Sequence, residues 1–255
     1  MTSLTLGLVF VASFVAGGVN SVAGGGTLLT FPVLLSGGLD SIVANATNSA
    51  GLAPGALTSF LGYRKELANL RHLMLPLALL ALVGATAGAL LLLATPTRLF
   101  DRLIPFLILL ATLLFAFQDK LKKLGKAPTE GTLERITPGI AAYLLCVAVY
   151  GGYFGAGIGI LTLAALGMLG MKEIHQMNGL KTVFTGGLNV VASVVLLLNG
   201  KVDLKIAALM TVGAMLGGWL GVGGARKLGA SNVRKLVILI GIALSVQTLL
   251  RYWVL

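Results

Sequence analysis

Charged residues are scarce in this chain, and their scarcity excludes most soluble folds. They make up 11% of its 255 residues, whereas an average soluble domain is about 25% charged. Hydrophobic residues make up 57%, and the mean hydropathy is +0.98. Apolar stretches close to the spanning length of about 20 residues are Leu73–Ala94, Leu103–Phe117, Ile136–Leu169 and Leu236–Leu250. The sequence therefore predicts an all-α integral membrane protein with 8–10 transmembrane segments.

Cysteine and histidine are also nearly absent. Cys146 is the single cysteine, which excludes an internal disulfide and a cysteine metal site. His72 and His175 are too few for a histidine metal centre, and the aspartates form no evident catalytic pair. We therefore expect no enzyme, no metal ion and no cofactor.

The chain also lacks basic residues before its first apolar run, so we expect no cleaved signal peptide. The net charge of +11 raises the question of nucleic acid. Lysines and arginines in cytoplasmic loops, facing anionic lipid, are the better explanation. The expected partners are a lipid bilayer and a small ligand, with no nucleic acid and with a homodimer left open.

What the chain does contain is an internal repeat. A shift of 133 residues places Gly18, Ala23, Gly24, Gly26, Leu28, Gly37 and Asn45 on Gly151, Ala156, Gly157, Gly159, Leu161, Gly170 and Asn178. A shift of 129 aligns a later window, including Gly84, Ala85 and Gly88 with Gly213, Ala214 and Gly217. The predicted organisation is a first membrane repeat (1–118), a basic cytoplasmic linker (119–137) and a second membrane repeat (138–255). Two similar membrane halves are typical of secondary transporters.

Loop charges indicate how the two halves are oriented. With about five membrane elements in each half, the halves are inverted, and 13 Lys and Arg face the cytoplasm against 5 outside. With four spans in each half the halves are parallel, and the split is 11 against 7. The positive-inside rule favours inverted repeats with both termini outside the cell membrane.

The stretch "NSVAGGGTLLTF" contains three glycines where a membrane helix is expected. Glycine costs a helix about 1 kcal/mol relative to alanine. The segment Ser3–Ser36 would also be about 51 Å long as one helix, against a hydrocarbon core of about 30 Å. We expect two helical pieces joined at Ala23–Gly26, with the second piece starting near Thr27. A helix start inside a membrane protein presents unpaired N–H groups and partial positive charge, which suit an anion.

Glycines elsewhere have other interpretations. The pairs Gly84/Gly88, Gly213/Gly217 and Gly217/Gly221 have the spacing of small-residue faces for helix packing. The stretch "GAGIG" (155–159) lacks the strand context of a dinucleotide site, and "NGLKT" (178–182) lacks the glycine that precedes lysine in a P-loop. Packing also remains an alternative for Ala23–Gly26 and for 155–159.

Polar residues follow each glycine stretch. Lys181 lies in an apolar segment, where a lysine is expensive and by default functional, although extension of its side chain to the interface is an alternative. Asn48 occupies the equivalent position in the first half. Asn45 and Asn178 can donate to an oxyanion or to neighbouring helices. His175 could titrate near neutral pH, and proton coupling through it is the less favoured alternative.

These residues resemble a known family, the TauE/SafE sulfite exporter-like permeases. The resemblance rests on "GGVNSVAGGGTLLTFPVLL" (17–35), "ANATNSAG" (44–51), "GGYFGAGIGIL" (151–161) and "MNGLKT" (177–182), and it covers nearly the whole chain. It implies export or uptake of sulfite, sulfoacetate or related sulfur-containing anions. Ile158 replaces a glycine of the first motif, so the second site is expected to be narrower.

The sequence thus predicts a transporter of a small sulfur-containing anion in the inner membrane. An anion channel, an uptake permease for another organic anion and a lipid-facing structural protein are the alternatives. No catalytic residue is expected. The predicted binding residues are Gly24, Gly25, Gly26, Thr27, Asn45, Thr47, Asn48, Gly157, Gly159, Asn178, Lys181 and Thr182.

Overall fold

The structure is a computed structural model that describes residues 1–22, 24–117, 136–171, 173–224 and 230–254. Within these ranges it is all-helical. The helices are α1 (Ser3–Val22), α2 (Thr27–Ser36), α3 (Ser41–Gly62), α4 (Arg71–Ala94), α5 (Thr97–Ala116), α6 (Pro138–Tyr153), α7 (Ile158–Met168), α8 (Ile174–Leu198), α9 (Leu204–Gly224) and α10 (Ala230–Leu249). The predicted basic linker lies almost entirely outside the described residues, as do Ala23 and Lys172.

The surface of the helices is apolar and their interior contains polar groups, as expected in a bilayer. Leu4, Leu75 and Leu198 are exposed, whereas Asn48 and Lys181 are buried. In the described part of the chain, four helical segments are long and apolar enough to cross a membrane: Ser3–Ser21, Ala68–Ala94, Thr97–Ala116 and Ile174–Leu198. The protein is therefore an integral membrane protein with an all-helical fold in its described part.

Helices α1 and α2 form a hairpin. A methyl group added to Gly37, just after α2, would lie 3.1 Å from Thr5 Cγ2, near the start of α1. One added to Gly26 would lie 2.8 Å from Ala16 Cβ. Between the helices, Gly24 and Gly25 have φ angles of 82° and 114°. Glycine adopts this left-handed region without the steric cost of a Cβ, so the chain can reverse and α2 runs back alongside α1.

Helices α6 and α7 repeat this arrangement in the second half. The Tyr150 hydroxyl donates a hydrogen bond to the Ala156 carbonyl at 2.8 Å, across the turn. The Tyr143 hydroxyl donates to the Leu161 carbonyl at 3.3 Å, so α7 returns beside α6. Gly155 and Gly157 have φ angles of 83° and 79° at this turn.

Each hairpin packs against a helix of the other half. Helix α1 lies on α9, where a methyl group on Gly213 would approach the Phe10 carbonyl oxygen to 2.8 Å. Helix α6 lies on α4, where a methyl group on Gly88 would approach the Tyr153 nitrogen to 2.8 Å. The predicted packing role of these small-residue faces is confirmed at Gly84, Gly88, Gly213 and Gly217.

The long helices α3 and α8 run antiparallel through the middle of the protein. Near the start of α3, the Thr47 hydroxyl accepts a hydrogen bond from the Asp203 N–H, just after α8, at 2.9 Å. Beyond the end of α3, Leu67 contacts Gly179 near the start of α8, 3.0 Å from an added methyl group. The two hairpin turns lie between these helices, and this arrangement positions the site.

Candidate anion-binding site

The two glycine turns meet each other. A methyl group built on Gly24 would lie 2.8 Å from the Gly159 Cα, closer than real Cβ atoms come to a backbone atom. Two turns that are about 130 residues apart in sequence are thus in direct contact. The absence of side chains allows this close approach of two backbones.

The starts of α2 and α7 therefore lie at one place. Neither helix has an acidic residue in its first turn, so no carboxylate there offsets the partial positive charge of a helix N-terminus. The Gly26 N–H is used within the hairpin, because it donates to the Asn20 side-chain oxygen at 2.8 Å. Thr27, Ile158 and Gly159 follow the turns as the first residues of the two helices.

A pocket of about 550 Å³, including its mouth, opens beside these helix starts. Helices α1, α2, α3, α7 and α8 and both glycine turns line it. Its polar side chains are Asn20, Thr27, Ser59, Lys181, Thr182, Thr185 and Asn189. Among the described residues that line the pocket, Lys181 has the one ionisable side chain.

Lys181 is 1% exposed, and its ammonium group is held inside the protein. It donates hydrogen bonds to the carbonyl oxygens of Asn20 at 2.9 Å and Ser21 at 3.3 Å, and to the Asn178 side-chain oxygen at 3.0 Å. Asn20 and Ser21 belong to the last turn of α1, where the helix dipole is negative and stabilises a cation. A lysine from the second half is thus anchored on the hairpin of the first half.

Asn45 connects the two halves in the opposite direction, from α3 of the first half to the hairpin of the second. Its side-chain nitrogen donates to the Tyr153 carbonyl at 2.9 Å, at the end of α6. Under the 133-residue shift, Asn45 corresponds to Asn178 and Tyr153 to Asn20. Helices α3 and α8 therefore each donate a side-chain hydrogen bond to the last turn of the first hairpin helix in the other half. The Asn45 side-chain oxygen is buried without a hydrogen-bond partner.

Asn48 occupies the position equivalent to Lys181 but has a different environment. Its side-chain oxygen accepts from the Thr30 hydroxyl, and its nitrogen donates to the Thr27 hydroxyl at 3.2 Å. Both partners lie on α2, within the same half. Asn48 is thus satisfied locally, whereas Lys181 reaches across to the other half.

The chain is similar to known proteins over nearly its whole length. A family model described as "Sulfite exporter TauE/SafE" matches residues 9–248. The chain belongs to the TauE/SafE family. This confirms the resemblance that the glycine motifs indicated.

Relatives with similar descriptions extend over nearly the whole chain. A probable membrane transporter protein ORF9 from Sinorhizobium sp is 32% identical, over 97% of this chain and 96% of the relative. A probable membrane transporter protein from Haemophilus influenzae is 30% identical over 95% and 93%. The probable membrane transporter protein YfcA from Escherichia coli K12 is 26% identical over 98% and 91%. No solved structure matches the chain.

In this TauE/SafE protein the predicted site residues fall into two groups. One group lines the pocket: Gly24, Gly25, Thr27, Gly159, Lys181 and Thr182. The other lies outside the pocket lining: Gly26, Asn45, Thr47, Asn48, Gly157 and Asn178. Several of the second group have the supporting contacts described above. Gly157 caps α7 in a left-handed conformation.

Four polar residues of the pocket were not predicted: Asn20, Ser59, Thr185 and Asn189. Thr185 and Asn189 follow Lys181 at intervals of four residues, which places all three on one face of α8. Applying this helical periodicity to Lys181 would have found them. Asn20 belongs to the glycine stretch itself, but its role depends on the hairpin, which the sequence does not reveal.

Glu173, directly before α8, has a structural role. Its carboxylate caps α8 by accepting hydrogen bonds from the N–H groups of His175 at 3.1 Å and Gln176 at 2.6 Å. Slight desolvation tends to raise the pKa of Glu173, but these two hydrogen bonds and the neighbouring His175 lower that pKa below its ordinary value. Glu173 is therefore an ionised cap at the start of α8.

Proposed function

We propose that this protein is a secondary transporter that moves a small sulfur-containing anion, such as sulfite, sulfoacetate or a related sulfonate, across the cytoplasmic membrane, in the direction of export. The observation that carries the proposal is the meeting of two helix N-termini with the buried Lys181 in one pocket. Helix N-termini and a lysine each favour negative charge.

The chemistry of the pocket suits an oxyanion. Lys181 supplies the full positive charge, and the Asn189 amide supplies a neutral donor. The Ser59 and Thr182 hydroxyls line the pocket but donate within their own helices, at 3.1 Å and 2.8 Å. Among the described lining residues there is no carboxylate to repel an anion. The preference for sulfur comes from the description of the family rather than from the pocket.

We further propose that the two halves are inverted repeats with both termini outside the cell. Each half has five helices, namely the two helices of a hairpin and three more. The chain therefore crosses the membrane an odd number of times between equivalent positions of the two halves. The reciprocal contacts of Asn45 with Tyr153 and of Lys181 with Asn20 support a pseudo-two-fold axis between the halves. The distribution of basic residues, 13 against 5, supports the orientation.

The test is sulfite flux into liposomes that contain the purified protein. A carrier should show saturation, competition by sulfoacetate and acceleration by sulfite on the opposite side. Lys181→Gln should lose saturable flux, whereas the exposed Lys201→Gln should retain it. Flux without saturation would favour an anion channel. Flux no greater than in protein-free liposomes, with protein correctly inserted, would overturn the proposal for sulfite.

A further inference from the structure

We propose that the anion site is intrinsically one-sided: it binds tightly when it faces the membrane side that carries the α3–α4 loop, and weakly when it faces the other side. The cause is that Lys181 has Asn48 as its equivalent in the first half. This inference rests on the proposed function, because it assumes an inverted-repeat transporter that exposes its site to each side in turn.

The pocket lies toward one end of the helix bundle. Ser59 is near the end of α3, and Lys181 is near the start of α8. These helix ends are adjacent, since Leu67 contacts Gly179. The loop at this end contains Arg64, which the charge distribution assigns to the cytoplasm.

Buried aromatic side chains, none of which lines the pocket, pack together around the second turn, and we take this cluster as the closed side of the site. Phe31 of α2 and Phe154 of the second turn pack edge to face with ring centroids 5.4 Å apart. Phe100, near the start of α5, lies 6.3 Å from Phe154 and 5.7 Å from Tyr153. The three phenylalanines are each at most 1% exposed. The described conformation is therefore closed on this side.

Exchange of the two halves' conformations would open an equivalent pocket on that closed side. Part of its lining would stay the same, because Leu52 pairs with Thr185 and Ala56 with Asn189 under the 133-residue shift, and all four line the present pocket. The remaining polar side chains would change. Asn20, Thr27, Ser59, Lys181 and Thr182 would be replaced by Tyr153, Ile160, Ala192, Asn48 and Ser49.

The two pockets therefore differ by one full charge. The Lys181 charge attracts an anion at short range even though its N–H groups are bonded to protein oxygens, whereas the Asn48 amide carries no charge. The same anion is thus held more weakly on the side where Asn48 replaces Lys181.

The exchange would also be unfavourable for Lys181 itself. Asn48 now pairs with Thr27 and Thr30, whose equivalents in the second half are Ile160 and Leu163. A lysine placed against two apolar side chains pays a desolvation cost without hydrogen bonds in return. The conformation open toward the α3–α4 loop is therefore the preferred one. A less populated state weakens apparent affinity further on its side.

The measurement is sulfite entry into inside-out and right-side-out membrane vesicles at zero membrane potential. We expect the half-saturating concentration to be about 10- to 100-fold lower on the cytoplasmic side. A passive carrier produces no net flux when the sulfite concentrations on the two sides are equal. The ratio of the maximal rate to the half-saturating concentration must therefore be the same for the two directions of transport. The maximal rate from the cytoplasmic side should therefore be lower by the same factor.

Variants locate the cause. In Lys181→Asn the two half-saturating concentrations should converge. The cytoplasmic value rises because the charge is lost, and the external value falls because the other conformation no longer carries the cost of the buried lysine. In Lys181→Arg and in the control Lys201→Asn, the preference for one side should persist. If the wild-type protein has equal half-saturating sulfite concentrations on the two sides, the inference is overturned. This outcome does not depend on whether Lys181→Asn reaches the membrane. A side preference that survives in Lys181→Asn overturns it as well.

Failure of the proposed function has a different signature. Wild-type vesicles of both orientations would then show no saturable sulfite entry, and the inference would fall with the function. Saturable entry with equal parameters on the two sides would remove the inference alone. The side that carries the α3–α4 loop is identified independently by labelling a single cysteine at Arg64.

Discussion

The ammonium nitrogen of Lys181 lies 2.9 Å from the carbonyl oxygen of Asn20, to which it donates a hydrogen bond. The two residues belong to different halves of the protein and are 161 positions apart in sequence. Asn20 also fixes the first glycine turn, because its side-chain oxygen accepts the Gly26 N–H at 2.8 Å. One asparagine thus shapes the turn and positions the buried charge beside it.

Removal of the charge at Lys181 should weaken anion binding. Lys181→Gln removes the buried positive charge beside the pocket. The ammonium N–H groups are already bonded to carbonyl oxygens of the protein, so the effect on the anion is electrostatic. We expect affinity to fall by about tenfold to a hundredfold. Lys181→Arg should be milder but not neutral, since a planar fork replaces a compact ammonium group. Sulfite binding by calorimetry in detergent measures both. Unchanged affinity in Lys181→Gln would assign the lysine a purely structural role.

Two changes at Asn20 separate its structural and electrostatic effects. Asn20→Ala removes the acceptor for the Gly26 N–H and should lower stability by about 1 kcal/mol, as with a lost helix cap. Asn20→Asp retains the acceptor and should fold, but it adds a negative charge beside Lys181 and should abolish anion binding. Thermal unfolding and sulfite binding are the measurements. Normal binding by Asn20→Asp would contradict the assignment of the pocket to anions.

The contact between the glycine turns predicts an unusually severe glycine-to-alanine change. Gly24→Ala places a methyl group 2.8 Å from the Gly159 Cα at a φ angle of 82°, so it should lower the unfolding temperature and eliminate transport. Gly187→Ala is the matched control, because its methyl group would meet Ala81 Cβ at an ordinary 3.9 Å. Equal behaviour of the two variants would mean that the turns do not need this close approach.

Inverted halves place equivalent residues on opposite sides of the membrane. Asp40 and Glu173 are exposed and correspond to each other just before α3 and α8. With Cys146 replaced by serine, a cysteine at Asp40 should react with an impermeant reagent added outside intact cells. A cysteine at Glu173 should react in inside-out vesicles. Labelling of both from the same side would support parallel halves and remove the inverted arrangement.

Transport should be electrogenic, because the described pocket residues carry one positive charge and no carboxylate that would bind a coupling cation. Outward movement of one negative charge from a negative interior releases about 2.3 kcal/mol per 100 mV. A potassium-diffusion potential that is negative inside should therefore accelerate sulfite efflux from proteoliposomes, and symmetric potassium with valinomycin should slow it. Efflux that follows an imposed pH gradient and ignores voltage would instead indicate proton coupling.

The sequence by itself determined the class of protein and the position of its unusual residues. Composition indicated a helical membrane protein, since 57% hydrophobic and 11% charged residues cannot cover a soluble surface. The glycine motifs indicated the family, and the rarity of charge in apolar segments singled out Lys181. The spacing of Gly84, Gly88, Gly213 and Gly217 predicted close helix packing, which the structure bears out. All of these features depend on local composition or on short spacing along the chain.

Only the tertiary structure decided which of these residues share a pocket. The side-chain nitrogen of Asn45 is hydrogen-bonded to Tyr153, and the side chain of Asn48 is hydrogen-bonded to two threonines. The residues Asn20, Ser59 and Asn189 line the pocket instead. The direction of a side chain within a helix bundle depends on which helices pack against it, and those helices are distant in sequence, as Tyr153 is from Asn45. Contacts between distant segments are set by the packing of whole helices, so local sequence does not specify them.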